Sequence, residues 1–146
     1  MPDPEHPVLH ATAVALGDKA VLITGASGSG KSSLALEMMA RGATLVADDR
    51  VILSRSQHGV VLSCPAPLSG MIEARGVGVL HASYRSPVAL ALVVDMDHAE
   101  TDRLPVHHTI TYLSQTFPLL HKVASGHFPC AVLQYLRGTG RVDDRP

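Results

Sequence analysis

Residues 19–32 read KAVLITGASGSGKS. KAVLIT is short, apolar and rich in β-branched residues, so it is a strand. The octet after it fits GxxxxGK[ST] at every fixed position. Residues 33–42, SLALEMMARG, continue as a helix. Its apolar Leu34, Ala35, Leu36, Met38, Met39 and Ala40 surround the axis, as packing on a sheet requires, and Gly42 is placed to end it. A strand leading in and a helix leading out mark a phosphate cradle rather than a chance glycine-rich turn. Within it, Gly25, Ala26, Ser27, Gly28, Ser29 and Gly30 let successive backbone N–H groups point at an anion. The helix N-terminus adds positive partial charge. Lys31 can reach the β- and γ-phosphates of a nucleotide, and the Ser32 hydroxyl can ligate Mg²⁺.

Upstream, residues 8–16 read VLHATAVAL and are joined to KAVLIT by Gly17-Asp18, a two-residue hairpin turn. Leu16 then faces Lys19, and the same register carried onward sets His10 opposite Gly25, beside the cradle. Downstream, residues 44–47 form a strand ending in Asp48-Asp49. Strand C-terminal ends in open α/β sheets face the ligand crevice, so one carboxylate can serve the Mg²⁺ shell and the other a substrate hydroxyl. Asp95 ends a second apolar run, ALALVVD, and competes for the metal-side role; pattern alone leaves both open. Residues 51–54 and 59–63 read as another hairpin with Ser56, Gln57 and His58 at its tip. Residues 88–94 read as a central strand, 97–109 as a loop and 128–136 as a helix.

The chain has 146 residues, 46% hydrophobic and 17% charged, which suits one globular domain. A formal charge of −1 excludes a strongly basic nucleic-acid footprint, and three Tyr, two Phe and no Trp leave little for base stacking. Residues 1–7 carry three prolines and read as a flexible arm, unlike a signal peptide, and 138–146 read as a flexible tail. The apolar runs fall short of a membrane span, so the expected setting is cytoplasmic. Cys64 and Cys130 lie in no ligand motif and read as buried thiols. The nine histidines are scattered without metal-ligand spacing, which argues against a histidine metal site.

Several stretches together resemble the catalytic domain of the bacterial HPr kinase/phosphorylase family. They are His10, the Gly25-to-Ser32 cradle, LVADDRV at 45–51, IEARGVG at 72–78 and Asp102-Arg103-Leu104. The resemblance runs over roughly residues 8–136, with 21 positions from His10 to Lys31 and 18 from Lys31 to Asp49, as in the family. It implies an α/β fold: a single P-loop kinase domain over 8–137 with a mixed central β-sheet and flanking helices. It implies ATP and Mg²⁺, a seryl hydroxyl of an HPr-like phosphocarrier of the phosphotransferase system as acceptor, and a homo-oligomer, a hexamer by precedent. Asp49 would accept the seryl proton, Lys31 would stabilise the transferring phosphoryl group, and Ser32 with Glu73 would hold Mg²⁺. His10 and Arg103 would complete the charge environment. The resemblance favours Asp48-Asp49 over Asp95.

The chain departs from that pattern in four places. The N-terminal domain of longer members is not among these 146 residues, so a short, catalytic-domain-only form is expected. Ser33 stands where an acidic residue is frequent, and the span from Glu73 to Arg103 is shortened. Residues 122–127, KVASGH, replace a basic loop. Histidine loses its charge near neutral pH where arginine does not, so weak phosphorylase activity is expected. A different class of reading is an ATP-binding regulatory module of low activity that binds a partner protein. Joint presence of Lys31, Ser32, Asp49, Glu73 and Arg103 favours catalysis, because a binding module has no use for a base. A small-molecule kinase would carry an arginine-rich lid, and none is evident.

Overall fold

A computed structural model describes residues 6–57, 59–138 and 142–143. Residues 1–5 of the expected arm, His58 of the expected hairpin tip, and residues 139–141 and 144–146 of the expected tail lie outside them. The two described residues of the arm are tied down. His6 Nδ1 lies 3.0 Å from Ser54 Oγ, and the Pro7 carbonyl accepts the Leu53 N–H at 2.9 Å.

The chain opens with β1 (Val8–Leu9), β2 (Thr12–Leu16) and β3 (Lys19–Thr24). The Gly17-Asp18 turn sets Leu16 against Lys19 and Thr12 against Ile23, the register its length dictates. The ladder stops there. β1 swings away to pair with β5, so His10 sits in the bend between them and has no ladder partner at Gly25.

Helix α1 (Lys31–Ala40) buries Leu34, Ala35 and Met38. Gly42, at φ +110°, closes it: the Ala43 N–H reaches the Met38 carbonyl and the Gly42 N–H the Met39 carbonyl. This pair of bonds defines a Schellman cap. Then follow β4 (Thr44–Ala47), β5 (Val51–Ser56), β6 (Gly59–Ser63), β7 (Met71–Ala74), β8 (Gly78–His81), β9 (Val88–Ala99), β10 (His108–Tyr112), β11 (Gln115–Lys122) and α2 (Phe128–Arg137). The span expected as a loop, 97–109, is a loop only at its centre. β9 runs on to Ala99 because β11 lies parallel beside its second half and satisfies its backbone.

Nine strands form one mixed sheet, in the order β1-β5-β6-β9-β3-β2-β4, with β11 and then β10 added beside β9. β9 is parallel to β3 and β11 and antiparallel to β6. Along β3, Val21 and Ile23 pack with α1 and α2, while Ala20 and Leu22 face a second core with Val51, Leu53, Val60 and Leu62. Burial on both faces explains the unbroken apolar runs of β3 and β9. Each fully buried Leu or Ile contributes about 1.5–3 kcal/mol. Both helices belong to the first core, so the helices flank one face only; the β5–β6 hairpin closes the other.

The cysteines depart from expectation. Cys64 is half-buried, and burial pushes its thiol pKa up. Cys130 is exposed, because α2 turns Phe128, Pro129, Val132, Leu133 and Leu136 inward and position 130 falls on its outer side. Among the described residues, no helix is long and apolar enough to cross a membrane.

Candidate active site

One polar cleft gathers most of the candidates. It is lined by His10, Thr12, Ser27, Gly28, Gly30, Lys31, Ser32, Ser33, Asp48, Asp49, Glu73 and Arg75. Its floor is the glycine-rich turn between β3 and α1. Gly25, Gly28 and Gly30 take φ of +145°, +84° and +100°, a region that side-chain-bearing residues rarely adopt. A Cβ on Gly25 would also stand 2.6 Å from Ser29 Oγ, so glycine is required there on both counts.

Lys31 opens α1 with its side chain folded under this turn. Its ammonium donates to the Gly25 carbonyl at 2.7 Å and the Ala26 carbonyl at 3.0 Å. An ammonium has three donors, so one remains for an anion. Ser29 Oγ is buried and has no hydrogen-bond partner among the described residues. A remaining Lys31 donor, a left-handed glycine backbone and a helix N-terminus form the donor set a phosphate chain takes, so the residues fit the group.

Asp48 ties three elements together. Its Oδ1 accepts from Thr12 Oγ1 of β2 and Ser32 Oγ of α1, both at 2.8 Å, and its Oδ2 accepts the Glu73 N–H of β7 at 2.9 Å. Its side chain is buried, and hydrogen bonds to a charged group contribute about 1.5–3 kcal/mol each. Asp48→Ala would leave those donors without an acceptor and is expected to cost roughly 2–4 kcal/mol, read as a lower urea midpoint at unchanged slope.

Asp49 is the opposite case. It points outward, its side chain 58% exposed, with Oδ1 3.1 Å from His10 Nδ1 and Oδ2 4.0 Å from Arg50 Nε. The imidazole stands against one carboxylate oxygen, and more than half of the Asp49 side chain faces solvent. The two adjacent aspartates thus divide structural and open roles by burial alone.

Glu73, the exposed residue of β7 between buried Ile72 and Ala74, reaches the same cleft. Asp95 does not line it. Burial works against the Asp95 charge, but the Asp97 N–H at 2.8 Å and His98 Nδ1 at 2.6 Å hold its carboxyl below the usual range. Arg103 does not line it either, and sits in the exposed 101–107 segment after β9.

Three residues without a sequence-level role bear on the site. Arg75 lines the cleft, its guanidinium 3.7 Å from where a Cβ on Gly28 would stand; its place in IEARG was the available signal. Asp97 accepts the Ala26 N–H with both oxygens, at 2.9 and 3.1 Å. Lys122 donates to the Ser29 carbonyl at 3.3 Å. Asp97 carries no signal in the sequence, and Lys122 only as the first residue of the KVASGH loop.

The family model described as HPr Serine kinase C-terminal domain matches residues 4–111. The chain belongs to this family. Among curated HPr kinase/phosphorylases, that of Bordetella pertussis (strain Tohama I) is 45% identical over 98 residues, 59% of this chain and 32% of that protein. That of Aromatoleum aromaticum is 45% identical over 100 residues, 60% and 32% of the two chains. The chain therefore spans about a third of the length of the HPr kinase/phosphorylases it matches. The solved HPr(Ser) kinase/phosphatase from Coxiella burnetii superposes with a TM-score of 0.76 at 23% identity, covering 90% of this chain and 95% of that one. This likeness concerns the fold: a curled mixed sheet with two helices is the HPr kinase architecture.

Proposed function

We propose that this chain is a cytoplasmic, ATP-dependent serine kinase domain whose acceptor is a seryl hydroxyl on an HPr-like phosphocarrier protein. The observation that carries the reading is the convergence of Lys31, Ser32, Asp49 and Glu73 on one cleft. Phosphoryl transfer asks a protein for cations around the transferred group and a carboxylate beside the nucleophile. The glycine-rich turn would take the phosphates of ATP, and Lys31 would spread its charge over the transferring group. Asp49, oriented by His10, would accept the seryl proton. Ser32 and Glu73 would hold Mg²⁺, which supplies charge neutralisation at the phosphates. Arg103 enters only through the family resemblance.

Catalysis is favoured over a purely regulatory ATP-binding module by Asp49, whose exposed carboxylate serves no structural bond beyond His10 and Arg50 among the described residues. A protein-borne acceptor is favoured over a small molecule because His10 and Asp49 stand 59% and 58% exposed at the cleft edge. Exposed Val77 and Val79 at the β7–β8 hairpin support assembly into an oligomer. Phosphorylase activity is weak in this reading: residues 122–127 carry one lysine and no arginine for a second phosphate.

The test is incubation with γ-labelled ATP, Mg²⁺ and candidate phosphocarriers, with the labelled residue mapped by mass spectrometry. Label on a carrier serine supports the kinase; ATP binding without label supports the regulatory module. Glu73→Gln is expected to raise the Mg²⁺ concentration at half-maximal rate with little change at saturation, checked by Mg²⁺ titration of the same assay.

A further inference from the structure

Away from the cleft, side chains from the residue after β9, from β10 and from β11 meet. The ligand-type atoms of Glu100, His108 and His121 all lie within 4.8 Å of one another. Glu100 Oε1 is 3.6 Å from His108 Nε2 and 4.0 Å from His121 Nδ1, and the two imidazoles stack at 4.1 Å. The β10–β11 register explains the meeting. His108 pairs with Leu119, so His121, two residues on, projects from the same face.

The carboxylate is preset. Its other oxygen, Oε2, accepts the Thr101 and Asp102 N–H groups at 3.1 and 3.2 Å, which turns Oε1 toward the histidines. The Glu100 N–H is bonded to the Lys122 carbonyl at 2.8 Å, fixing its backbone to β11. None of the three lies on the cleft.

We propose that Glu100, His108 and His121 form a site for one divalent transition-metal ion of the zinc class, which fastens the ends of the 101–107 segment against β11. Two imidazoles and a carboxylate, with a fourth position left to water, are a recognised zinc donor set. Metal–ligand bonds of about 2.0–2.1 Å place tetrahedral neighbours about 3.3–3.4 Å apart, so the present spacings need only a modest closure and a rotation of one stacked ring. A carboxylate already bonded through its second oxygen is the outer support such sites use. Glu100 and His108 bracket the seven exposed residues that contain Arg103, so a shared ion would close that segment into a loop. His98, bonded to Asp95, has its ring centre 5.5 Å from that of His121.

The proposal stands apart from the kinase reading and is tested without an activity assay. The full chain is titrated with Co²⁺, whose visible bands report tetrahedral coordination, and the bound Co²⁺ is then displaced by Zn²⁺. One Co²⁺ per chain is expected. His121→Ala and Glu100→Gln should each weaken it by at least the roughly 10–100-fold that loss of an outer partner costs. His81→Ala, on β8 outside the cluster, should bind normally. In the unsubstituted chain, Zn²⁺ should shift the ring NMR signals of His108 and His121, a readout independent of how any variant folds. Trypsin cleavage after Arg103 should slow roughly tenfold with Zn²⁺, since the loop must open to be cut, and should not slow in His121→Ala. Absent Co²⁺ bands, equal loss in His81→Ala, or ring shifts confined to other histidines would overturn the site. Unchanged cleavage at Arg103 in the loaded protein would overturn the clasp.

Discussion

Lys31→Ala is expected to lower phosphoryl transfer about 10²–10³-fold, the usual cost of one preorganised donor to developing charge. The side chain does more than face a ligand. It is 8% exposed and holds two carbonyls of the glycine-rich turn, so its removal should also loosen residues 25–30. Hydrogen exchange should show that loosening confined to the turn, with α1 and the sheet as protected as before. Turnover near normal would remove the cradle from the mechanism.

Asp49→Asn is expected to leave ATP binding within a few-fold and to reduce seryl transfer about 10²–10⁴-fold, the range of a general base. The substitution is clean for a backbone reason. Asp49 holds φ +73°, and asparagine is one of the few residues that tolerates the left-handed region as aspartate does. A loss of rate is then chargeable to the carboxylate, with nucleotide affinity from equilibrium titration as the control. If Asp95→Asn proves the more damaging change, the base has been misassigned.

How far the fold was legible depended on local signals. Gly17-Asp18 fixes a hairpin register by itself, and strand, GxxxxGK[ST] and helix follow one another without ambiguity. The β10–β11 hairpin sends no such signal. Its turn is Leu113-Ser114, at φ +50° and +66°, where asparagine and glycine would be the readable choice. Pro118 inside β11 also argues against a strand, yet it precedes Leu119, where pairing with β9 begins, so its missing N–H costs nothing on that side. Missing that hairpin cut β9 short, since DMDHA after Val94 reads as polar loop until β11 is seen beside it. The Glu100, His108 and His121 cluster was invisible for the same reason. Motif spacings describe ligands on one element, and these three are brought together only by strand register.

At the cleft, residue types were legible and their division of labour was not. Asp48 and Asp49 are adjacent and chemically identical, and only burial separates the girder from the open carboxylate. His10 reached the cleft by a different route from the one its register suggested, through a bend and a contact with Asp49.

The positive φ of Asp49 has an evolutionary side. Left-handed backbone costs most L-residues about 1–2 kcal/mol; aspartate bears less of that cost, and glycine avoids it altogether. Libraries of this domain sorted only for heat endurance or yield would therefore enrich glycine at position 49, and the winners would be firmer proteins without the carboxylate. Sturdiness and chemistry pull on the same codon in opposite directions, so any directed-evolution campaign on this scaffold must select for both at once.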